Sequence, residues 1–455
     1  MSLRFETEKK MEGLDGYAET FSVKKQKPIQ VGPATTTRNG LYFLSNLDQI
    51  IRCAIEILFA YKGDERGRDT ATSFEVIKEA LAKILVEYYP IAGCLTRGWD
   101  GKMMVRCSGE GVPFVKAISE NEMAVLGDIN IIDPVKLRKL IHFNEGTDQN
   151  ILDVPLLTVQ VTRFKCGGII VGVRFNHMLM DGKSLTDFIS SWAKVAREEP
   201  LSDPYLDRSI LCPRQPPVIN FPHDEYTKKE GERKSMPFHD QKGKLVYQSF
   251  CFDPKKLTQL KRMATDCDHQ LVTPTSFELI SALVWISRTK ALKIKPDQAT
   301  KLLLVVDGRS KFKPPLPKGY FGNGIAWSCA QCKTKELTGK PLSFAVKMVH
   351  EAINAVTEDY VRSAIDYFEV TRKGLEYDQN ICWITKWSRL PFYDANFGWG
   401  EPTQVAPAST LDNLVLVVSQ ENNSENVVVS LGLSFSAMAI FRELIQLGPK
   451  HNCRL

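Results

Sequence analysis

The chain has 455 residues, 43% of them hydrophobic and 25% charged, which predicts two or three domains with large cores and excludes wholesale disorder. Its net charge of +6 is mild and it carries no dense basic block, so a nucleic-acid partner is disfavoured. Eleven irregularly spaced cysteines read as reduced thiols, not a secreted disulfide framework.

The opening MSLRFETEKK is charged from the outset, and every apolar run falls far short of the ~20 residues that a bilayer requires. A cytoplasmic protein without integral membrane association is the expectation. The first 40 residues read as a short strand and a loop leading to Leu41-Tyr42-Phe43. Phe74, Ile77, Leu81, Ile84, Leu85 and Tyr88 share one face of a predicted helix over 73–89, which Pro90 ends and Gly93 turns. Short strands are predicted over 103–106 and 112–116. Two longer ones, 156–164 and 169–176, flank Cys166-Gly167-Gly168 as a hairpin and deliver His177 just past the second. A helix follows Asp181-Gly182. Ser184 and Asp187 resemble its capping box, and Leu185, Phe188, Trp192 and Val195 form its stripe.

Residues 200–244 change character: seven prolines mix with the charged run Lys228 to Lys234, too long a stretch to sit structureless inside one compact domain. A first domain over 1–200, a crossover over 201–244 and a second domain over 245–455 are therefore expected. Beyond the crossover the pattern restarts with a strand over 245–252. Asp253-Pro254 opens a helix bearing Leu257, Leu260 and Met263; a second helix spans 276–291 and a strand 302–306. Two α+β halves of similar size are the simplest architecture.

Three constellations bear on chemistry. His177-Met178-Leu179-Met180-Asp181 is the one place where an aspartate follows a histidine by four residues; with seven histidines, about 0.4 such matches arise by chance. Its position between an apolar strand and a capped helix suits a side chain facing a cleft, and histidine suits general-base work on a hydroxyl or amine. A buried histidine bonded to backbone is the competing reading. Asn396-Phe397-Gly398-Trp399-Gly400 reads first as a tight turn pinned by an aromatic ring. In Val306-Asp307-Gly308-Arg309, Arg309 either meets a phosphate or carboxylate of a ligand or forms an internal ion pair. Cys329-Ala330-Gln331-Cys332 lacks the second pair or histidine that zinc requires, so no metal is expected. His223-Asp224 and His239-Asp240 lie in the proline-rich stretch and are expected to be solvated.

Taken in this order the motifs resemble the plant BAHD acyltransferases, which use acyl-CoA donors and carry His-x-x-x-Asp-Gly near the middle and Asp-Phe-Gly-Trp-Gly toward the C-terminus. Here these stand as His177 to Gly182 and, with one change, Asn396 to Gly400. The segments LYFLSNLDQ (41–49), LDRSIL (206–211), VDGRSKFKPPLPKGYFGNGI (306–325) and FGWGEP (397–402) are similar to the branch that moves feruloyl-type groups onto omega-hydroxy fatty acids and fatty alcohols in suberin and cutin synthesis.

The resemblance implies two chloramphenicol-acetyltransferase-like α/β domains with a solvent channel between them, CoA entering from one face and the acceptor from the other. It implies His177 as general base in a ternary complex without an acyl-enzyme, Thr385 and Trp387 as oxyanion donors, and Asp181 as the residue that holds the histidine loop. Ser281, Arg288, Arg309 and Arg389 fall on the CoA side. Gly182, Asn396, Phe397, Gly398, Trp399 and Gly400 belong to the structural motif. Acyl-CoA is a co-substrate, so no cofactor is implied, and a monomer is the family's habit. Relatives usually carry aspartate at position 396, paired with an arginine for which Arg309 is the candidate.

Residues 376–383 hold no basic side chain, unlike relatives that grip an acceptor carboxylate, and Met178, Leu179 and Met180 suggest an apolar channel near the base. An apolar alcohol is therefore the expected acceptor. An amine, giving amides of the piperamide or polyamine sort, is the first alternative, and a catalytically weak homologue acting as a scaffold is the second.

Overall fold

The computed structural model describes residues 21–63, 70–143, 150–226, 245–266, 273–419 and 425–446. The opening residues, the charged run at 228–234 and His239-Asp240 lie outside them.

Two large sheets organise the chain. The first contains β1 (Lys24–Lys25), β2 (Ile29–Val31), β4 (Ala54–Tyr61), β7 (Val112–Ser119), β8 (Leu157–Phe164), β9 (Ile169–Asn176) and β14 (Gln404–Pro407), in the order β1-β7-β8-β9-β4-β14 with β2 also on β7. A small sheet of β3 (Gly40–Tyr42), β5 (Cys94–Arg97) and β6 (Met103–Cys107) stands beside it. The second large sheet runs β10-β16-β15-β13-β11-β12, from β10 (Leu245–Phe252), β11 (Ala299–Asp307), β12 (Ile325–Lys333), β13 (Ile381–Lys386), β15 (Leu414–Ser419) and β16 (Val427–Ser434).

The hairpin read around Cys166-Gly167-Gly168 forms as expected, with Leu157 opposite Phe175 and Arg163 opposite Ile169. One strand was not legible: β14 belongs to the C-terminal half by sequence, yet it pairs with β4, Gln404 opposite Ala60. The chain therefore returns to the first sheet after building most of the second.

Burial follows the two-residue period of a strand. Leu302 and Leu304 enter a core with the helices α3 (Ser276–Ala291), α4 (Leu342–Asn354) and α6 (Phe435–Ile445), numbered after α1 (Ser73–Glu87) and α2 (Gly182–Ala196). Leu303, one residue between them, faces the opposite way into a core shared with Ile50, Ile51 and Cys53 of the first half and with α5 (Glu358–Thr371). Ile381 and Trp383 on β13 take that same inter-half face, whereas Cys382 and Ile384 take the helix face. The second sheet is thus buried on both sides, and its inner face meets the first half.

The crossover is ordered where it is described, through 226. Arg214 pairs with Asp366 at 2.6 Å, and Tyr205 bridges to Tyr320. The solvated reading of His223 is overturned: it is 1% exposed, bonded to Glu225 at 2.7 Å and to the Ser363 hydroxyl at 2.8 Å. Proline-rich composition indicated irregular backbone but not that the segment is pressed against a helix, Glu358–Thr371. No helix among the described residues is long and apolar enough to cross a membrane.

Candidate active site

A cavity of about 790 Å³ opens where the halves meet, within the range of small-molecule sites. Cys53, His177, Asp181 and Lys183 of the first half line it, as do Arg309, Trp327, Thr385 and Trp387 of the second.

His177 stands one residue beyond β9 and is fixed at both ends of its own peptide unit. Its N–H donates to the Cys53 carbonyl at 2.9 Å, and its carbonyl accepts from Asn323 Nδ2 at 2.8 Å. Protein surrounds the ring, yet it keeps partial exposure through the cavity it lines. Nδ1 is buried without a hydrogen-bond partner among the described residues. Burial pulls the imidazole below its ordinary pKa, opposed in turn by Asp181, by the residue's own backbone, by the Asn323 side chain and by Asp48. A neutral ring at neutral pH follows, which is the state a base requires.

Asp181 is the N-cap of α2, accepting from Ser184 N–H at 3.0 Å. The capping role expected of Ser184 thus belongs to the residue three earlier, and the Ser184 hydroxyl instead bonds the Gly322 carbonyl at 2.8 Å. Arg309 grips both carboxylate oxygens at 2.8 and 2.9 Å, and Gly324 N–H adds a bond of 2.9 Å. Burial alone raises the Asp181 carboxyl; the guanidinium outweighs it and holds the group below its usual range. A side chain at position 324 would meet Arg309 at 2.8 Å, so glycine there admits the arginine. All these bonds brace the turn that carries His177.

Thr385 lies near the end of β13 and Trp387 just past it, both on the cavity wall. Arg389 lines the same cavity, as does Arg309, which is committed to Asp181. Ser281 and Arg288, expected beside them on the CoA side, are instead interior to α3. Ser281 is 0% exposed, and Arg288 donates to the Gln379 carbonyl and to Asn413 Oδ1. Neither lines the cavity, whereas Phe277 and Glu278 of the same helix do. Met178, Leu179 and Met180 are likewise 0% exposed within the first half's core, so the apolar channel wall read from them is corrected. Ile51, Phe277, Trp327 and Trp383 supply apolar surface instead.

The Asn396–Gly400 turn also departs from expectation. Arg309 is not its partner; Asn396 Oδ1 accepts from the backbone N–H of Gly398 at 2.9 Å and of Gly400 at 3.0 Å, both glycines at positive φ. Phe397, 1% exposed, packs edge-on against Trp192 with ring centroids 5.0 Å apart, and the Tyr61 hydroxyl bonds the Ala395 carbonyl. The motif is a brace between α2, β4 and the segment that leads into β14.

Sequence reasoning missed Asp48, Arg208 and the side chain of Asn323. Ser45 followed three residues later by Asp48 is a capping-box spacing, and that box forms. A single arginine in a proline-rich stretch, by contrast, gave no signal. No group of three or more candidate metal ligands occurs among the described residues.

Comparison with known proteins agrees with this geometry. A profile described as the Transferase family matches residues 21–447. The chain is 46% identical over 427 residues to the omega-hydroxypalmitate O-feruloyl transferase of Arabidopsis thaliana, covering 93% of this chain and 92% of that one. It is 40% identical over 438 residues to the fatty alcohol:caffeoyl-CoA acyltransferase of the same plant, covering 94% and 100%. Among solved structures, vinorine synthase aligns with a TM-score of 0.73 at 24% identity over 92% of this chain and 96% of that one. TRI101 of F. graminearum, complexed with coenzyme A and T-2 mycotoxin, gives 0.71 at 17% identity over 88% and 96%. Sequence and fold therefore agree that this chain, built of two chloramphenicol-acetyltransferase-like halves, belongs to the Transferase family of BAHD acyltransferases.

Proposed function

We propose that the protein transfers a hydroxycinnamoyl-type group, such as feruloyl, from CoA to the hydroxyl of an apolar alcohol, an omega-hydroxy fatty acid or fatty alcohol. The names of the two Arabidopsis relatives support both the donor and the acceptor class. The observation that carries the reading is the His177 ring, its pKa lowered by burial, lining a largely apolar cavity between the halves.

The chemistry needs one proton moved twice. The ring nitrogen facing the cavity takes the proton of the acceptor hydroxyl as its oxygen attacks the thioester carbonyl, forming a tetrahedral oxyanion. The Thr385 hydroxyl and the Trp387 indole N–H are the donors for that charge; one such donor is typically worth ~3–4 kcal/mol in the transition state. Collapse breaks the carbon–sulfur bond, and the departing thiolate recovers the proton from His177. Both substrates are present together, so no acyl-enzyme forms, and acyl-CoA is consumed as a co-substrate without a further cofactor. Arg389 at the cavity wall is the cation for the anionic donor; Asp181 and Arg309 hold the turn and take no proton.

Purified protein with feruloyl-CoA and a panel of long-chain alcohols, omega-hydroxy acids and amines tests this, with released CoA thiol as the readout. Efficient release with long-chain hydroxyl acceptors is expected. Turnover with amines alone, or none with any acceptor while feruloyl-CoA still binds, defeats the reading.

A further inference from the structure

Among the described residues, four lysine and arginine side chains line the cavity, and two of them are committed. Arg309 grips Asp181 and lies 3.3 Å from Asp307; Lys183 pairs with Asp187. The acids on the wall are committed as well. Asp181 and Asp307 face Arg309, and Glu278 meets His350 Nδ1 at 2.7 Å and accepts the Thr275 N–H at 2.6 Å. Lys386 and Arg389 are left. Among the described residues neither forms an ion pair or a side-chain hydrogen bond, although both line the cavity.

Lys386 ends β13, between Thr385 and Trp387. Strand alternation puts it on the face of Cys382 and Ile384, where α3 packs. Its ammonium stands 5.8 Å from the centroid of the Phe277 ring, in the first turn of α3. A ring face attracts a cation but does not neutralise it. Lys386 is half-buried, and that burial, together with the charge of Arg389, pulls the ammonium below its ordinary pKa.

Arg389 is exposed and lies in a turn closed by the Leu390 N–H on the Trp387 carbonyl at 2.9 Å. The Trp387 N–H ties that turn to the Val417 carbonyl of β15 at 2.8 Å. Two like charges are thus anchored on either side of Trp387, one of them partly withdrawn from water. That arrangement is unfavourable until an anion joins it. Charge-assisted bonds from an ammonium and a guanidinium to an oxygen anion supply what is missing.

We propose that Lys386 and Arg389 form a seat for an anionic oxygen group of a substrate, a phosphate or a carboxylate, and so select a charged substrate over its neutral analogue. The inference rests on the reading of the cavity as the site of transfer from acyl-CoA to a long-chain alcohol, which offers two sources of that group. CoA brings phosphates, and an omega-hydroxy acid brings a carboxylate that a fatty alcohol lacks. The basic side chain missing from residues 376–383 stands three residues beyond them, as Lys386.

Lys386→Met, which keeps the apolar stem and removes the charge, tests the seat together with Arg389→Gln and Lys386→Arg. Thiol release is measured with two donors, feruloyl-CoA and the phosphate-free thioester feruloyl-pantetheine, and with two acceptors, 16-hydroxyhexadecanoic acid and 1-hexadecanol. Lys386→Met is expected to raise the KM of one charged substrate about ten-fold or more, with kcat within about three-fold and the KM of the neutral analogue within about two-fold. Arg389→Gln should show the same pattern at about three-fold, since its charge is exposed. Lys386→Arg should recover most of the affinity that Lys386→Met loses. A residue that merely held the strand in shape would raise the KM of charged and neutral analogues alike.

An effect confined to feruloyl-CoA against feruloyl-pantetheine identifies a phosphate as the occupant; one confined to the acid against 1-hexadecanol identifies the carboxylate. Either outcome supports the seat. Equal effects on charged and neutral partners, effects in both comparisons at once, or none in either overturn it. Equilibrium binding of the same four compounds gives the same ratios without turnover. The seat is therefore decided even if wild-type protein releases no thiol, the result that would defeat the transfer reading itself.

Discussion

The turn from His177 to Gly182 and the turn from Asn396 to Gly400 are both short, glycine-bearing and pressed against α2, yet they use their polar residues for different ends. In the first, a buried carboxylate faces a guanidinium and two backbone amides. In the second, a neutral amide oxygen faces two backbone N–H groups. Arg309 needs a negative charge opposite it; the Gly398 and Gly400 amides need only an acceptor. That difference explains why asparagine replaces aspartate in one turn without evident structural cost, whereas the same exchange in the other would strand a buried arginine.

The largest predicted effect separates the turn that holds chemistry from the turn that holds shape. His177→Ala is expected to lower kcat by about 10²- to 10⁴-fold, the usual reach of a general base, while equilibrium binding of feruloyl-CoA changes little. In the wild type, the depressed pKa of His177 places the rising limb of kcat/KM below the ordinary histidine value of about 6.5. A limb well above that value would mean that the ring is held protonated, and the base would have to be sought elsewhere.

Asp181→Asn comes next, and its cost is in folding. Removing one member of a buried pair typically costs ~3–5 kcal/mol, because the remaining charge is uncompensated. Chemical denaturation is expected to show a loss of that size, with kcat falling as the turn loosens. The pH dependence has a definite sign. The folded-state carboxyl lies below its usual range, so its stabilisation is present above the unfolded value of about 3.9 and is lost as pH falls through the folded value. The variant should lose that part of the acid sensitivity.

Phe397→Ala probes the second turn through its packing. Truncating a buried phenylalanine typically costs ~3–5 kcal/mol, and here the ring sits against Trp192 and Tyr61. Stability should fall by that order while the KM for both substrates holds, since Phe397 is not on the cavity wall. A selective rise in KM with unchanged stability would place this turn in the substrate path instead.

What could be read in advance divides along the same line. Periodicity gave α1, and turn signals the β8–β9 hairpin, almost to the residue, because each is decided by neighbours within a few positions; the bounds expected for α3 also hold. His177, Thr385 and Trp387 were placed through resemblance, and they do share one cavity. Long-range choices were not legible. Nothing local announces that β14 returns to the first sheet, that Arg309 chooses Asp181 over position 396, or that Ser281 and Arg288 face inward from α3. For α3 the reason is physical: the helix is buried nearly all round, so its sequence shows no polar face from which a cavity side could be chosen. Met178 to Met180 failed similarly, since an apolar run fits a core as well as a channel.

The smallest predicted effect is the most discriminating for the second turn. Asn396→Asp puts a carboxylate oxygen where the amide oxygen now accepts two backbone N–H bonds, and both bonds survive, shortened and strengthened by the charge. Against that gain stands the desolvation of a half-buried anion, which Arg309 does not offset because Asp181 already holds it. The two terms oppose each other, and a net change within about 1 kcal/mol follows. Because the turn lies behind α2 and not on the cavity wall, kcat should stay within about three-fold of the wild type. A rise of several orders of magnitude on restoring the aspartate would mean that charge at this position reaches the reaction centre, against the position of the turn off the cavity wall.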